Sequence, residues 1–298
     1  MDKLAAIDIT KTFDGFIAND RVTLHVATGT IHGLLGENGA GKSTLMNILY
    51  GLYRQDGGEV HIDGRKVDIR NPRAALNHGI GMVHQYFVLV PTLTVTENIL
   101  LVLQRSGMLM DTAAIAEKIR QLSDEFGFDI KPEEVIWKLP IGMQQRVEIL
   151  KLLLLDVDVL IFDEPTSVLT HQEVQSFLEF MRRLRDAGKT IVLITHKLDE
   201  ILAISDAVSV MRHGRVVAEY ATLDTDADSL ARQMIGEDPR RQSLQRSATA
   251  SQDVVLELVD ISTTNDDGVR TLDNVCLSLR AGSILGVAGV DGNGQSEL

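Results

Sequence analysis

The stretch Gly36-Glu37-Asn38-Gly39-Ala40-Gly41-Lys42-Ser43-Thr44 decides how this chain is read. An apolar run, Ile31 to Leu35, leads into it, and Leu45, Met46, Ile48, Leu49 and Leu52 follow along one side of a helical pattern. A strand, a glycine-rich turn and a helix are the setting in which G-x-x-x-x-G-K-[ST] acts as a phosphate loop. Gly36, Gly39 and Gly41 let the backbone turn tightly and aim its N–H groups at a polyphosphate, and the opening helix adds its positive dipole end. Lys42 is spaced to reach the β- and γ-phosphates, and the Ser43 hydroxyl to ligate Mg2+. A glycine turn without chemistry is the alternative. The ends of the other strands decide between the two.

The apolar run Val157 to Phe162 ends in Asp163-Glu164-Pro165-Thr166, Thr190 to Thr195 ends at His196, and Ile80 to His84 ends at Gln85. Asp163 can hold the Mg2+ of a bound nucleotide through water, and Glu164 can polarise an attacking water. Gln85 and His196 can orient that water and sense the γ-phosphate. Taken singly, an Asp-Glu pair after a strand is a helix cap, and a lone histidine is a satisfied surface or core residue. Together, in this order around one phosphate loop, the four are what a nucleoside triphosphatase needs. Phe13, shortly before the loop, either stacks on a base or fills a turn or core position.

Strands are expected at residues 3–9 and 21–27, joined through 11–16, and around Val60–Ile62 and Val67–Ile69. Pro72 suits the first turn of a helix running to about Asn77. Thr94 and Glu97 have capping-box spacing. Residues 111–126 and 143–154 are helical by period, so about 94–155 reads as a helical insertion between strands of one sheet. A helix over about 172–187, strands near 206–211 and 215–220, and a short helix at 226–235 close a first domain, 1–237. Strands alternating with helices indicate an α/β fold with a largely parallel sheet. Residues 238–253 are polar without apolar periodicity and read as a linker. From Val254 a strand-turn-strand pattern restarts, and Gly289 to Ser296 repeats the spacing of Gly36 to Ser43, with Gln295 where Lys42 stood.

At 298 residues the length suggests about two domains. A net charge of −13 argues against broad phosphate-driven nucleic-acid binding. The single cysteine, Cys276, allows no internal disulfide and fits a reducing compartment. Met1-Asp2-Lys3-Leu4 does not open a secretory signal. Ala74 to Thr96 carries no formal charge, but its Asn77, His78, His84, Gln85 and Pro91 do not suit a membrane span.

At this point the chain resembles the ATP-binding-cassette (ABC) ATPases over essentially its whole length. Gly36 to Ser43 matches Walker A, with Thr44 beside it also expected to bind ATP, Val159 to Glu164 matches Walker B with its catalytic glutamate, and Gln85 the Q-loop. Ser167-Val168-Leu169-Thr170 matches the D-loop, His196 the switch histidine, and Phe13 falls where the family places its base-stacking aromatic. The resemblance implies a P-loop NTPase fold with a mixed core sheet, an antiparallel β subdomain and a helical subdomain. It implies ATP and Mg2+ as cofactors, the metal held by Ser43, Gln85 and Asp163, with Glu164, His196 and Gln85 catalytic.

Met82 to Ile99 and Leu139 to Lys151 are similar to the duplicated ATPase subunits of bacterial simple-sugar and nucleoside importers. Residues 286–298 are similar to the start of their second cassette, so 254–298 reads as that cassette's truncated start. His84-Gln85-Tyr86-Phe87 and Gly142-Met143-Gln144-Gln145 lean to the nucleoside-type branch. The implied protein hydrolyses MgATP to drive import of a sugar or nucleoside, peripheral on the cytoplasmic face of the inner membrane. Its implied partners are integral-membrane permease subunits, touched by Tyr86 to Thr92, and an extracytoplasmic solute-binding protein, with no nucleic acid.

The chain departs from the pattern twice. The family's signature loop is Leu-Ser-Gly-Gly-Gln, whereas here Leu139-Pro140-Ile141-Gly142-Met143 is followed by Gln144. Pro140 removes a hydroxyl and a backbone N–H. Gln295 removes the cation from the second phosphate loop. In head-to-tail pairing both defects fall in one composite site, so one competent site on Lys42 and one degenerate site are expected. The competent site needs a second cassette's signature, supplied by a partner or missing, so the chain is expected to bind MgATP and turn it over poorly alone. Two other readings remain open at this stage, a soluble cassette ATPase acting on ribosomes or nucleic acid and a catalytically impaired nucleotide-binding module.

Overall fold

The computed structural model describes residues 1–298 except 84–87, 106–110, 168, 237–252, 265–267, 269 and 290–292. The chain divides into Met1–Arg240 and Arg241–Leu298. In the first unit, Asp14 and Gly15 take φ of 45° and 87°, the type I′ geometry that Asp-Gly favours and that matches strand twist. They join β1 (Asp2–Phe13) to β2 (Phe16–Ala27) in a hairpin that closes with Phe13 opposite Phe16. Both strands run beyond the expected 3–9 and 21–27. Lys11, Thr12 and Phe13 pair with Asn19, Ile17 and Phe16 where a longer connection was expected.

Then follow β3 (Ile31–Leu35), α1 (Lys42–Leu49), β4 (Gly57–Ile62), β5 (Arg65–Val67), α2 (Pro72–Asn77), β6 (Ile80–Val83) and α3 (Val95–Arg105). Next are α4 (Thr112–Phe126), α5 (Ile141–Leu154), β7 (Val159–Asp163), α6 (His171–Asp186), β8 (Thr190–Ile194) and α7 (Leu198–Ile204). The unit ends with β9 (Ala207–Arg212), β10 (Arg215–Ala221) and α8 (Ala227–Ile235). α7 was not expected. It is short, follows His196 almost at once, and is fixed by tertiary burial of Ile201 and Ile204 rather than by a long period.

Two sheets form the unit. One is mixed, in the order β10-β9-β3-β8-β7-β6, with only the β10–β9 pair antiparallel; the other is antiparallel, in the order β2-β1-β4-β5. Every residue of β3, β7 and β8 is buried, as parallel strands covered on both faces require. Successive side chains alternate between two cores. Leu160, Phe162, Ile191 and Leu193 pack with the helices α3 to α6, while Val159, Ile161, Val192 and Ile194 pack with α1 and the antiparallel sheet. No helix among the described residues is long and apolar enough to cross a membrane.

The second unit is a hairpin of β11 (Val254–Thr264) and β12 (Arg270–Arg280). Residues 284–289, which lead into the second glycine stretch, form no strand, and 293–298 form no helix. Ile284 and Val287 are exposed. A strand of this buried type needs neighbours on both sides and cover on both faces.

Candidate functional site

β3 carries the chain into the loop Gly36–Gly41, which is seated so tightly that two glycines are obligatory. A Cβ on Gly36 would strike the Met211 carbonyl oxygen, and one on Gly41 the Ala18 carbonyl oxygen. Gly41 also takes φ 99° as it caps α1, a conformation that costs glycine little. The fully buried Asn19 of β2 donates its Nδ2 to the Gly41 carbonyl at 3.1 Å, fixing the loop from behind.

Lys42 opens α1 and is buried. Its Nζ folds back to donate to the carbonyls of Gly36 at 2.7 Å and Glu37 at 3.0 Å. Burial lowers its pKa, against the opposing pull of Glu164 and Asp163. Among the described residues its ammonium bonds only to these loop carbonyls, beside the mouth of the cavity described next.

A cavity of about 470 Å3 lies over the loop, lined by residues 38–44, Asp163, Glu164, Phe13, Phe16 and Ala18. Asp163 ends β7 and is buried. Glu164 takes φ 47°, a left-handed conformation that non-glycine residues hold only when their surroundings enforce it. Here the Glu164 N–H donates to the Ile194 carbonyl at 2.9 Å, and its Oε1 lies 3.1 Å from His196 Nδ1. The two meet because β7 and β8 are parallel neighbours with Asp163 in register with Ile194. Among the described residues no group of three or more His, Cys, Asp or Glu is arranged to hold a metal by itself. The Ser43 hydroxyl and the Asp163 carboxylate that line the cavity are hard oxygen donors of the type a divalent cation takes.

Phe13 is not a core residue. It is 38% exposed, its ring meets Tyr53 edge-on at 5.3 Å, and Lys11 Nζ sits 5.2 Å from its centroid. Phe16, 67% exposed, lines the same cavity. Sequence reasoning missed Phe16 and Ala18. The available signal was Asp14-Gly15: a two-residue turn puts Phe13 and Phe16 opposite each other, on one side of the hairpin.

Gln85 and Val168 lie outside the described residues. Of the other expected D-loop residues, Thr170 forms a capping box with Glu173 at the start of α6. The segment Leu139-Pro140-Ile141-Gly142-Met143-Gln144 contributes nothing to the described lining of the cavity. Leu139 is buried, and Pro140 caps α5 without a side-chain hydrogen bond. The next residue, Gln145, is buried and donates Nε2 to the Pro165 carbonyl at 2.9 Å. A second cavity, of about 370 Å3, lies among α4, α5 and α6 against Phe126, Phe128, Phe177 and Phe180. It shares no residue with the phosphate loop.

A glycine loop between a buried parallel strand and a helix, with Asp163 and Glu164 on the facing strand end, defines a phosphate-loop nucleotide-binding fold. Residues 19–167 match the family model described as ABC transporter, and the chain belongs to that family. It is 47% identical over 295 residues to the nucleoside import ATP-binding protein NupA of Lactococcus lactis subsp. cremoris, covering 98% of this chain and 58% of that protein. It is 46% identical to the guanosine import ATP-binding protein NupO of Bacillus subtilis, covering 98% and 57%. It is 44% identical to the glucose import ATP-binding protein TsgD13 of Haloferax volcanii, covering 98% and 58%. The chain thus spans little more than half the length of these relatives. Its fold is that of a nucleotide-free ATP-binding cassette from an ABC transporter, with TM-score 0.68 at 24% identity over 77% of this chain and 98% of that one. A dimeric bacterial ABC transporter cassette gives TM-score 0.65 at 25% identity, covering 74% and 98%. The expected mixed sheet with an antiparallel β subdomain is the one observed.

Proposed function

We propose that this chain binds MgATP and hydrolyses it to drive import of a sugar or nucleoside through separate permease subunits. The observation that carries this reading is the one cavity in which Lys42, Ser43, Asp163 and Glu164 meet, with Glu164 held against His196. In it, residues 36–44 take the phosphates, Lys42 turns from its loop carbonyls to the β- and γ-phosphates, and Phe13 stacks on the base. Ser43 and Asp163 hold Mg2+, with Gln85 as a further ligand. Glu164 polarises the attacking water, and His196 and Gln85 orient it.

The cargo named for the relatives supports a sugar or nucleoside, and the residue forms at 84–87 and 142–145 favour the nucleoside branch. The domain limits that go with this reading are 1–237 for the cassette, with its helical subdomain at about 94–155, then a linker at 238–253 and a second cassette beginning at 254. The partners are permease subunits, which meet Tyr86 to Thr92, and an extracytoplasmic solute-binding protein, with the cassette on the cytoplasmic face of the membrane. Pro140 and Gln295 fall in the same composite site of a head-to-tail pair, leaving the Lys42 site competent once another cassette supplies its signature loop.

The test is ATP binding and turnover of the purified chain and of Lys42→Ala, each alone and with a homologous second cassette. Binding strongly weakened in Lys42→Ala, and turnover that requires the second cassette, is the expected result. An ATP affinity unchanged in Lys42→Ala overturns the site, and full turnover by the lone chain overturns the asymmetry.

A further inference from the structure

The segment that follows β6 is held by an arrangement that neither the motifs nor the cavity explains. The Val88 N–H donates to Glu148 Oε1 at 2.9 Å, and the Val88 carbonyl accepts from Lys151 Nζ at 3.4 Å. Two residues on, the Val90 N–H donates to Asn98 Oδ1 at 2.7 Å, and the Val90 carbonyl accepts from Asn98 Nδ2 at 3.1 Å. Both main-chain groups of both valines therefore bond to side chains, two from α5 and one from α3, in place of a neighbouring strand, and the Val90 carbonyl also accepts from the Leu93 N–H at 3.2 Å. Asn98 is suited to this because its amide carries the donor and the acceptor of a peptide group.

The clamping groups are themselves secured. Glu148 and Lys151 form an ion pair at 2.6 Å, and their side chains are only 11% and 9% exposed. Asn98 is buried and also donates to the Thr94 carbonyl at 3.0 Å. Burying a charge pair and an amide is expensive unless each polar atom finds a partner, and Val88 and Val90 are among those partners. Leu89 packs inward against the main core, whereas Val88 and Val90 are 70% and 39% exposed. An exposed connection normally leaves its backbone to water. This one is fixed from within while its two apolar side chains face out.

We propose that Glu148, Lys151 and Asn98 are positioning residues, forming two buried polar clamps: Glu148 and Lys151 make Val88 move with α5, and Asn98 holds Val90 to α3. The segment lies within Tyr86 to Thr92 and α5 begins at Ile141, so a displacement at Val88 is carried to the Leu139–Gln144 segment at the other end of the same helix. Tyr50, the C-terminal cap of α1, joins the arrangement: burial first, and the nearby Glu148 charge second, raise its hydroxyl pKa. The use of the clamps, presenting Val88 and Val90 to a permease, rests on the docking reading above. Their existence does not.

Amide-resolved hydrogen–deuterium exchange on the full chain tests them. In Glu148→Ala the Val88 amide should exchange about tenfold or more faster while Val90 stays slow, and in Asn98→Ala the reverse should hold. Glu148→Gln keeps an acceptor and should restore most of the Val88 protection. A general loss of stability would instead speed exchange throughout the core, and that outcome, or a Val88 amide unmoved by Glu148→Ala, overturns the proposal. Should Glu148→Ala not fold, Asn98→Ala against Asn98→Asp decides the matter at Val90, since Asp retains the acceptor. The docking reading fails separately. If Val88→Cys forms no cross-link to co-expressed permease subunits while the exchange pattern holds, the clamps stand and the permease contact lies elsewhere.

Discussion

Removing the Phe13 ring should weaken ATP without weakening a bare polyphosphate. Phe13 is 38% exposed, which for a phenylalanine of roughly 200 Å2 leaves about 75 Å2 open to the cavity. Covering that area with a base at about 25 cal/mol per Å2 is worth up to about 1.9 kcal/mol, inside the range of about 1–3 kcal/mol for stacking a base on an aromatic ring. Phe13→Ala should therefore raise the Kd for ATP roughly 10- to 30-fold. Phe16 exposes more surface, 67%, but a base covers only one face, so Phe16→Ala should cost about as much. Isothermal titration with ATP and with tripolyphosphate, both with Mg2+, separates the causes. The triphosphate chain meets the loop, and only ATP meets the rings. Equal weakening of both ligands would mean that the substitution loosens the hairpin instead, and unchanged ATP affinity would refute the stacking assignment.

Three further outcomes can be checked directly. Lys42→Ala should weaken MgATP by about 10- to 150-fold, the worth of one charge-assisted contact, measured by the same titration with the melting temperature as a fold control. Glu164→Gln should cut the turnover obtained with a homologous second cassette about 100-fold or more by removing the base while leaving the Kd for ATP within a few-fold, read by phosphate release beside titration. His32 is buried with Nε2 2.8 Å from Ser209 Oγ, and burial lowers its pKa to about 4. The unfolded chain takes up this proton first, so the associated stability is complete above pH 6.5 and is lost as pH falls towards 4. That amounts to on the order of 3 kcal/mol in all, about 2 of it by pH 5. Urea unfolding at pH 7.5 and 5.0 should show a drop smaller by about that 2 kcal/mol in His32→Gln than in the parent, and an equal drop would refute it.

The parallel strands were legible because their apolar runs are continuous and end in polar residues with a chemical use. Asp163 and His196 marked the ends of β7 and β8 before any pairing was known. The helix at 72–77 was equally plain from Asn71-Pro72, where the Asn71 side chain accepts from the Ala74 N–H and the proline fills the first turn. What was hidden depended on pairing. The reach of β1 and β2 follows from a two-residue turn, and with it the place of Phe16 beside Phe13. α7 owes its helix to burial against the sheet. Residues 284–289 show the converse, since an apolar run of the buried type forms a strand only where neighbours are present to accept it. Asn19 was invisible for another reason: nothing in its local sequence marks an asparagine whose work is a bond to the carbonyl of Gly41, 22 residues away.

Pro165, next to Glu164 in the chain, is joined to the first turns of α5 by a buried bond, and this bears on how the helical layer acts on the proposed catalytic carboxylate. Gln145 reaches the Pro165 carbonyl, and Pro165 follows a glutamate already held in a left-handed conformation. A left-handed non-glycine residue lies above its relaxed energy by about 1–3 kcal/mol and stays there only while its surroundings over-determine it. Here the enforcing contacts are the Ile194 carbonyl on the backbone, His196 on the carboxylate, and the Gln145 tie one residue on. Two of these belong to the core sheet and one to the helical layer. A movement of α5 therefore reaches Glu164 through the Gln145–Pro165 bond, without any change in the β7–β8 register that sets the carboxylate and the histidine together.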